Sequence, residues 1–291
     1  MEERIEQAIS QAPLRAGAFW VIPKLDLFGA YDSNSLLLAT EVRDDVTFQA
    51  TPGLRAILPF HKRALLEVFD DVNFIYYRDL EDLRGVFNTV GGRFTIGGNR
   101  ILFTVGDIFA VRRAGPTQEF DFPTNQQNNN FDSSLTVAVA ERSEIRAFVS
   151  SYSSNITEDI VNPTAIPLSQ FFDQTTFRVG GGFRRGVSSF TYFTADSFYE
   201  KWDFPEQSQQ PDADVFVAQG GFSFQAKGNI VGEATLGYKR MKPNNPEDAE
   251  YSGLIGRGAI NFRAGERTLL GFEYTREVFP SVTDSNWFFI E

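Results

Sequence analysis

Apolar and polar residues alternate along most of this chain with a period of two. In VTFQATPGLRAIL (46–58) one parity carries Val46, Phe48, Ala50, Pro52, Leu54, Ala56 and Leu58, and the other Thr47, Gln49, Thr51, Gly53, Arg55 and Ile57. Successive side chains of a strand point to opposite faces, so this pattern predicts strands with one apolar and one polar face. It recurs in TTFRVGGGFRR, DVFVAQGGFSFQA, GNIVGEATLGYKR, LIGRGAINFR and TLLGFEYTRE. Asp70 breaks it, falling on the apolar parity of 64–76, and the phase is ambiguous over 101–112, 145–153 and 189–199.

The connections alternate too. Tight polar turns fall at 59–63, 97–100, 141–144, 184–187, 226–229 and 264–267, spaced by about 40 residues, a hairpin plus a loop. Longer loops lie between them at 32–44, 79–84, 113–130, 154–170, 201–213 and 243–250. The polar tract PTNQQNNN (123–130) reads as an exposed loop tip. The pattern yields thirteen strands and the start of a fourteenth at 286–291, where SNWFFIE is short for a closing strand. Ile5, Ala8 and Ile9 predict a short amphipathic helix that Pro13 ends.

Composition narrows the class. Phe occurs 30 times and Gly 24 times against two Met, a usage that favours strands and loops over helices. The formal charge of −11 and the absence of any basic run longer than two, apart from 61–63, argue against nucleic acid as a partner. Without cysteine there is no disulfide, thiolate nucleophile or Cys-based zinc site. No stretch approaches the roughly 20 apolar residues of a membrane helix.

Alternation alone also fits a soluble β fold. Four features favour a membrane barrel. The runs of about 11–15 residues are twice the usual soluble strand and long enough for a tilted bilayer crossing. A soluble interior of thirteen such strands would exceed the size at which single cores stop growing. The polar parity mixes Gly, Thr, Ser and Gln with charges of both signs, as a watery lumen does. Trp20, Tyr31, Tyr76, Tyr77, Tyr238, Tyr274 and Trp287 lie mainly near run ends, as an aromatic girdle does. The expected fold is all-β: an antiparallel up-and-down transmembrane β-barrel of at least 14 strands over 17–291, with short periplasmic turns, long extracellular loops and a periplasmic N-terminal segment over 1–16.

PKLDLFGAYDSN (23–34) and DDVTFQATPGLRA (44–56) resemble the outer-membrane β-barrel porin family associated with exopolysaccharide gene clusters. The shared pattern is a strand that opens with Pro and ends in Tyr-Asp-x-Asn, followed by a strand with a central Pro. The resemblance implies an outer-membrane location and export of a sugar polymer, with periplasmic export components as partners, and it carries over no catalytic residue. Family members usually have more strands than are counted here.

The candidate functional residues are charges on the polar parity: Arg55, Glu67, Asp71, Arg93, Arg178, Arg184, Glu233, Lys239, Arg257, Arg263 and Glu273. Charges facing one another inside a pore set its solute selectivity, and the competing reading is that they pair and fill the lumen. His61, the single histidine, would serve an outer-membrane lipid or sugar hydrolase as general base, but its place in a tight turn reads as solvated punctuation. The acidic residues at 44–45, 70–71 and 247–250 lack calcium-loop spacing. The glycine runs precede no helix and so make no phosphate loop. No cofactor, metal or chemistry is expected. The expected function is passage of hydrophilic solutes or polysaccharide through the outer membrane. The other classes are the outer-membrane hydrolase and a large soluble carbohydrate-binding β protein. Pro52 lacks a ladder donor, which predicts a bulge or a tolerated lost hydrogen bond, with a bend in the sheet.

Overall fold

The computed structural model describes residues 1–33, 44–114, 124–157, 169–205, 210–225, 230–264, 268–281 and 287–290. A helix α1 (Glu2–Ser10) precedes the strands. These are β1 (Leu14–Ala16), β2 (Phe19–Asp32), β3 (Asp45–Phe60), β4 (Ala64–Tyr77), β5 (Gly85–Gly97), β6 (Ile101–Ala114), β7 (Thr124–Ala140) and β8 (Ser143–Ile156). A one-turn helix α2 (Ser169–Phe172) leads to β9 (Gln174–Gly186), β10 (Thr191–Asp203), β11 (Ala213–Gln225), β12 (Ile230–Pro243), β13 (Tyr251–Ala264) and β14 (Thr268–Arg276). Two short strands follow, β15 (Val278–Pro280) and β16 (Phe288–Ile290).

Strands β1 to β14 form one antiparallel sheet in sequence order, the up-and-down arrangement expected from alternating turns and loops. The order is linear: β1 and β14 are its ends and do not pair among the described residues. The fourteenth strand differs from the expected one. It is β1, which pairs through Leu14, Arg15 and Ala16 with Val21, Trp20 and Phe19 of β2. Residues 288–290 instead pair with Val278–Pro280 in a separate two-stranded sheet. Trp287 and Phe288 are used in packing rather than in a sheet-closing ladder.

The chain divides into two compact units, Met1–Gly98 with Phe103–Asp132 and Tyr152–Phe172, and Asn99–Leu102 with Ser133–Ser151 and Asp173–Glu291. In the first, β2 to β5 carry a continuous apolar face. Leu25, Leu27 and Tyr31 of β2 face Pro52, Ala50 and Val46 of β3. Phe48 faces Tyr76 and Ala56 faces Val68 on β4. That face is the exposed one: Leu25 is 63% accessible and Leu27 62%. The large buried apolar side chains of β3 to β5, Ile57, Leu65 and Phe87, lie on the opposite, polar face. Ile57 and Leu65 meet Ile5 of α1 there, with Trp20, Ile22 and Ile9 packed around them. The apolar side of α1 therefore has a seat built by apolar residues at polar-parity positions, and Glu2 ties it to Lys62 in the β3–β4 turn at 2.7 Å.

The second unit repeats the inversion. Phe216, Phe222, Leu236, Leu254, Ile260 and Phe272 are exposed on the apolar face of β11 to β14, Leu236 by 64% and Phe272 by 69%. Val215, Val217, Met241 and Ile255 are buried on the polar face. They are covered by Val278, Trp287 and Phe288 of the β15–β16 segment. Trp20 and Trp287 thus sit in cores on the polar face rather than in a girdle. Tyr77 shares the polar face with Thr47. Tyr31, Tyr76, Tyr238 and Tyr274 do lie exposed on the apolar face.

One further expectation changes, and at Pro52 the second of the two expected forms, a tolerated lost hydrogen bond, is the one found. Residues 124–130 are the start of β7, not a loop tip, and Thr124, Gln126 and Asn128 are buried at alternate positions. Their amides satisfy backbone and neighbouring side chains: Gln126 Nε2 donates to the Ala114 carbonyl at 2.9 Å and to Thr124 Oγ1 at 3.1 Å. Pro52 causes no bulge. The pairs Ala50–Phe74 and Gly53–Asp71 lie three residues apart on both strands, so the register passes Pro52 unbroken. Pairing with β2 through Leu25 is continuous, and the missing proline N–H falls on the β4 side.

Candidate functional site

The polar face gathers the charged residues, and each unit builds its own set. In the first, Lys24 pairs with Asp26 at 2.6 Å. Arg93 of β5 reaches across β6 to Asp132 of β7 at 3.3 Å. The crossing passes over Gly106, where a Cβ would lie 3.3 Å from Arg93 Nε and 3.2 Å from Asp132 Oδ1. Asp71 stands opposite Gly53, on the face that carries Arg55 and Glu67. Arg55 pairs in register with Phe69 and Glu67 with Ile57, so the two charges are diagonal neighbours. Neither forms an ion pair among the described residues.

Near the long-loop end of this unit, Arg112 of β6, Asn128 of β7 and Ser154 of β8 converge. With the amide oriented to satisfy its neighbours, Asn128 accepts from Arg112 Nε at 2.6 Å and donates to Ser154 Oγ at 2.7 Å. Asp45, fully buried at the start of β3, closes the adjoining 78–80 segment. Its carboxylate accepts backbone N–H groups from Val46 at 2.6 Å, Asp79 at 3.1 Å and Leu80 at 2.7 Å.

In the second unit, Arg146 of β8 reaches across β9 to Asp196 of β10 at 3.4 Å. A side chain at Gly182 would have to displace the Asp196 carboxylate, because its Cβ would fall 2.1 Å from Asp196 Oδ1. Arg184 pairs with Glu144 at 3.4 Å and lies over the Tyr192 ring at 3.9 Å. These four charges surround a cavity of about 220 Å³. Arg178 pairs with the buried Glu200, whose other oxygen accepts from Trp202 Nε1 at 3.2 Å. Arg257 lies between Glu273 at 3.3 Å and Glu233 at 3.9 Å. Arg263, near the end of β13, is exposed and forms no ion pair among the described residues.

Lys239 stands apart from the rest. It is 7% accessible and donates to Glu277 Oε1 and to the Val278 carbonyl, both at 2.8 Å, beneath the Trp202 ring. Its ammonium holds the C-terminal segment against the sheet.

Within each unit the sequence-predicted charges therefore share the polar face, most of them in local opposite-charge pairs, while Arg55, Glu67, Asp71 and Arg263 form no ion pair among the described residues. Asp132, Glu144, Arg146, Asp196, Glu200 and Arg112 were not anticipated. Arg146, Asp196 and Arg112 belong to segments whose parity the sequence left ambiguous, and with the phase unassigned their faces could not be read. Outside the strands, the hydrogen bond and charge of Lys62 hold the Glu2 carboxyl below the usual carboxylate range and raise the Lys62 ammonium in turn.

His61 is exposed in the β3–β4 turn with φ of 54°, a left-handed conformation that histidine tolerates better than most residues. Among the described residues, no group of three His, Asp or Glu is placed to hold a metal ion. The arrangement can screen, orient and pair with charged groups. Compared with known proteins, the chain matches no family model and no curated sequence.

Proposed function

We propose that this protein is an outer-membrane β-barrel channel for hydrophilic solutes, working by passage without chemistry. The observation that carries the reading is the inverted exposure of the strands. Among the described residues, 41 large hydrophobic side chains are exposed, against 15 buried hydrophobic ones. Soluble proteins rarely expose a contiguous apolar patch beyond a few hundred Å². A sheet with its apolar face outward and charges on the other face suits lipid on one side and water on the other. Strands of 13 to 17 residues from β2 to β13 are long enough to span a bilayer at a tilt, which takes about 9–11.

A sheet edge cannot stay unpaired in hydrocarbon. The reading therefore requires strand partners for the free backbone of β14 and for β2 beyond its three pairs with β1. The polar-face charges Arg55, Glu67, Asp71, Arg93, Arg178, Arg184, Glu233, Arg257, Arg263 and Glu273 would line the passage. The sequence resemblance adds a solute class, a sugar polymer moved outward with periplasmic export components, to which paired charges and amide groups offer hydrogen bonds without one dominant sign.

The direct test is refolding. The protein should become folded and protease-resistant in detergent micelles or phosphatidylcholine vesicles and aggregate in plain buffer. A monodisperse, folded protein in buffer without detergent would overturn the reading.

A further inference from the structure

The exposed apolar face of the first unit has two charges at its centre. Asp70 is the seventh of fourteen residues in β4, and Asp107 the seventh of fourteen in β6. Both are exposed, and they share their face with Val68, Phe74, Val90 and Phe109. Because β4 and β6 run in the same direction, the two carboxylates lie near the same depth. Each has one amide donor: Asn88 Nδ2 meets Asp70 at 2.5 Å, and Asn129 Nδ2 meets Asp107 at 3.3 Å. A carboxylate has about four lone-pair sites, so one donor leaves most of its capacity unused. Among the described residues neither forms an ion pair. Both open into a single notch of about 480 Å³ whose walls are Leu54, Val68, Val90 and Phe109.

This inference rests on the membrane reading above. A carboxylate at mid-depth in lipid is costly and calls for a partner that neutralises it. Among the described residues, a second copy of this chain does not supply one. On the apolar parity, the described strand cations Arg113, Arg185, Lys201, Arg240, Lys242 and Arg276 all lie within the last four residues of their strands. We propose that the notch on β3–β6 is a docking surface for a different membrane-embedded polypeptide, one that places an arginine or lysine at the depth of the strand centres. The cation enters between Asp70 and Asp107, and the stem of its side chain lies along the apolar walls. Charge-assisted hydrogen bonds in such a dry setting exceed neutral ones in strength.

The test uses the full chain in phosphatidylcholine vesicles. The protein has no cysteine, so a single cysteine replacing His61 carries a donor dye. The probes are synthetic leucine–alanine transmembrane peptides bearing an acceptor dye, with a central Arg, Leu or Glu. Energy transfer should show the Arg peptide bound at least tenfold more tightly than the Leu and Glu peptides. The double variant D70N/D107N should abolish that preference and still insert. Equal binding of the three peptides, or a preference surviving in the double variant, overturns the docking proposal alone. Association of the protein with itself that is lost in D70N/D107N also overturns it, in favour of a second copy. Failure of the wild-type chain to insert overturns the membrane reading and this proposal together.

Discussion

At the scale of single residues, the fold is held by side chains that satisfy backbone at strand ends and by the absence of a side chain where charges cross. Asp45 accepts three backbone N–H groups while fully buried. Asp45→Ala leaves those donors without an acceptor, and should lower stability by about 2–3 kcal/mol in a urea titration of the folded protein. His61 behaves oppositely. Its left-handed backbone suits glycine, so His61→Gly should be neutral or stabilising by up to about 1 kcal/mol, and under the channel reading conductance should be unchanged. Loss of function in that variant would revive the hydrolase reading. The sequence showed His61 as a turn residue because a proline and three polar or basic residues sit between two alternating runs. It could not show that Pro52 leaves the register intact, since that depends on which neighbour the missing N–H faces.

At the scale of elements, alternation made the long strands legible, and where it failed there was a physical reason. Composition alone makes 124–130 a loop, yet its Thr, Gln and Asn residues bond to strand neighbours that sequence distance hides. The terminal segments were the least legible, because their seats are assembled from separate strands. A helix of nine residues is marginal alone, so α1 depends on its contacts with Ile57, Leu65 and Trp20. Ile5→Asp should undock it and shift Trp20 fluorescence to the red; an unchanged spectrum would contradict the packing.

The Glu2–Lys62 pair adds a pH dependence to that docking. The carboxyl of Glu2 is depressed when paired, so its contribution is present above its unfolded value and fades as pH falls through the folded one. The Lys62 ammonium is raised, so its contribution is lost only as pH climbs through its folded value. Trp20 emission should therefore report weakened docking in acid, and Glu2→Gln should remove that acid dependence.

At the scale of the whole molecule, one face of a long antiparallel sheet is apolar and exposed, and the other carries paired charges. The sequence carried this far because period-two alternation fixes which residues share a face. It stopped short of orientation, since a soluble and a membrane β protein alternate alike and differ only in which face is covered. If the polar face lines a water-filled passage, Arg178→Gln with Arg257→Gln should raise cation over anion permeability by freeing Glu200, Glu233 and Glu273. The most direct measurement is single-channel conductance of the purified protein in a planar lipid bilayer. The channel reading predicts discrete, voltage-supported conductance steps whose ion selectivity shifts toward cations in the double arginine variant. Folded, inserted protein with no conductance, or with selectivity indifferent to both substitutions, would contradict it.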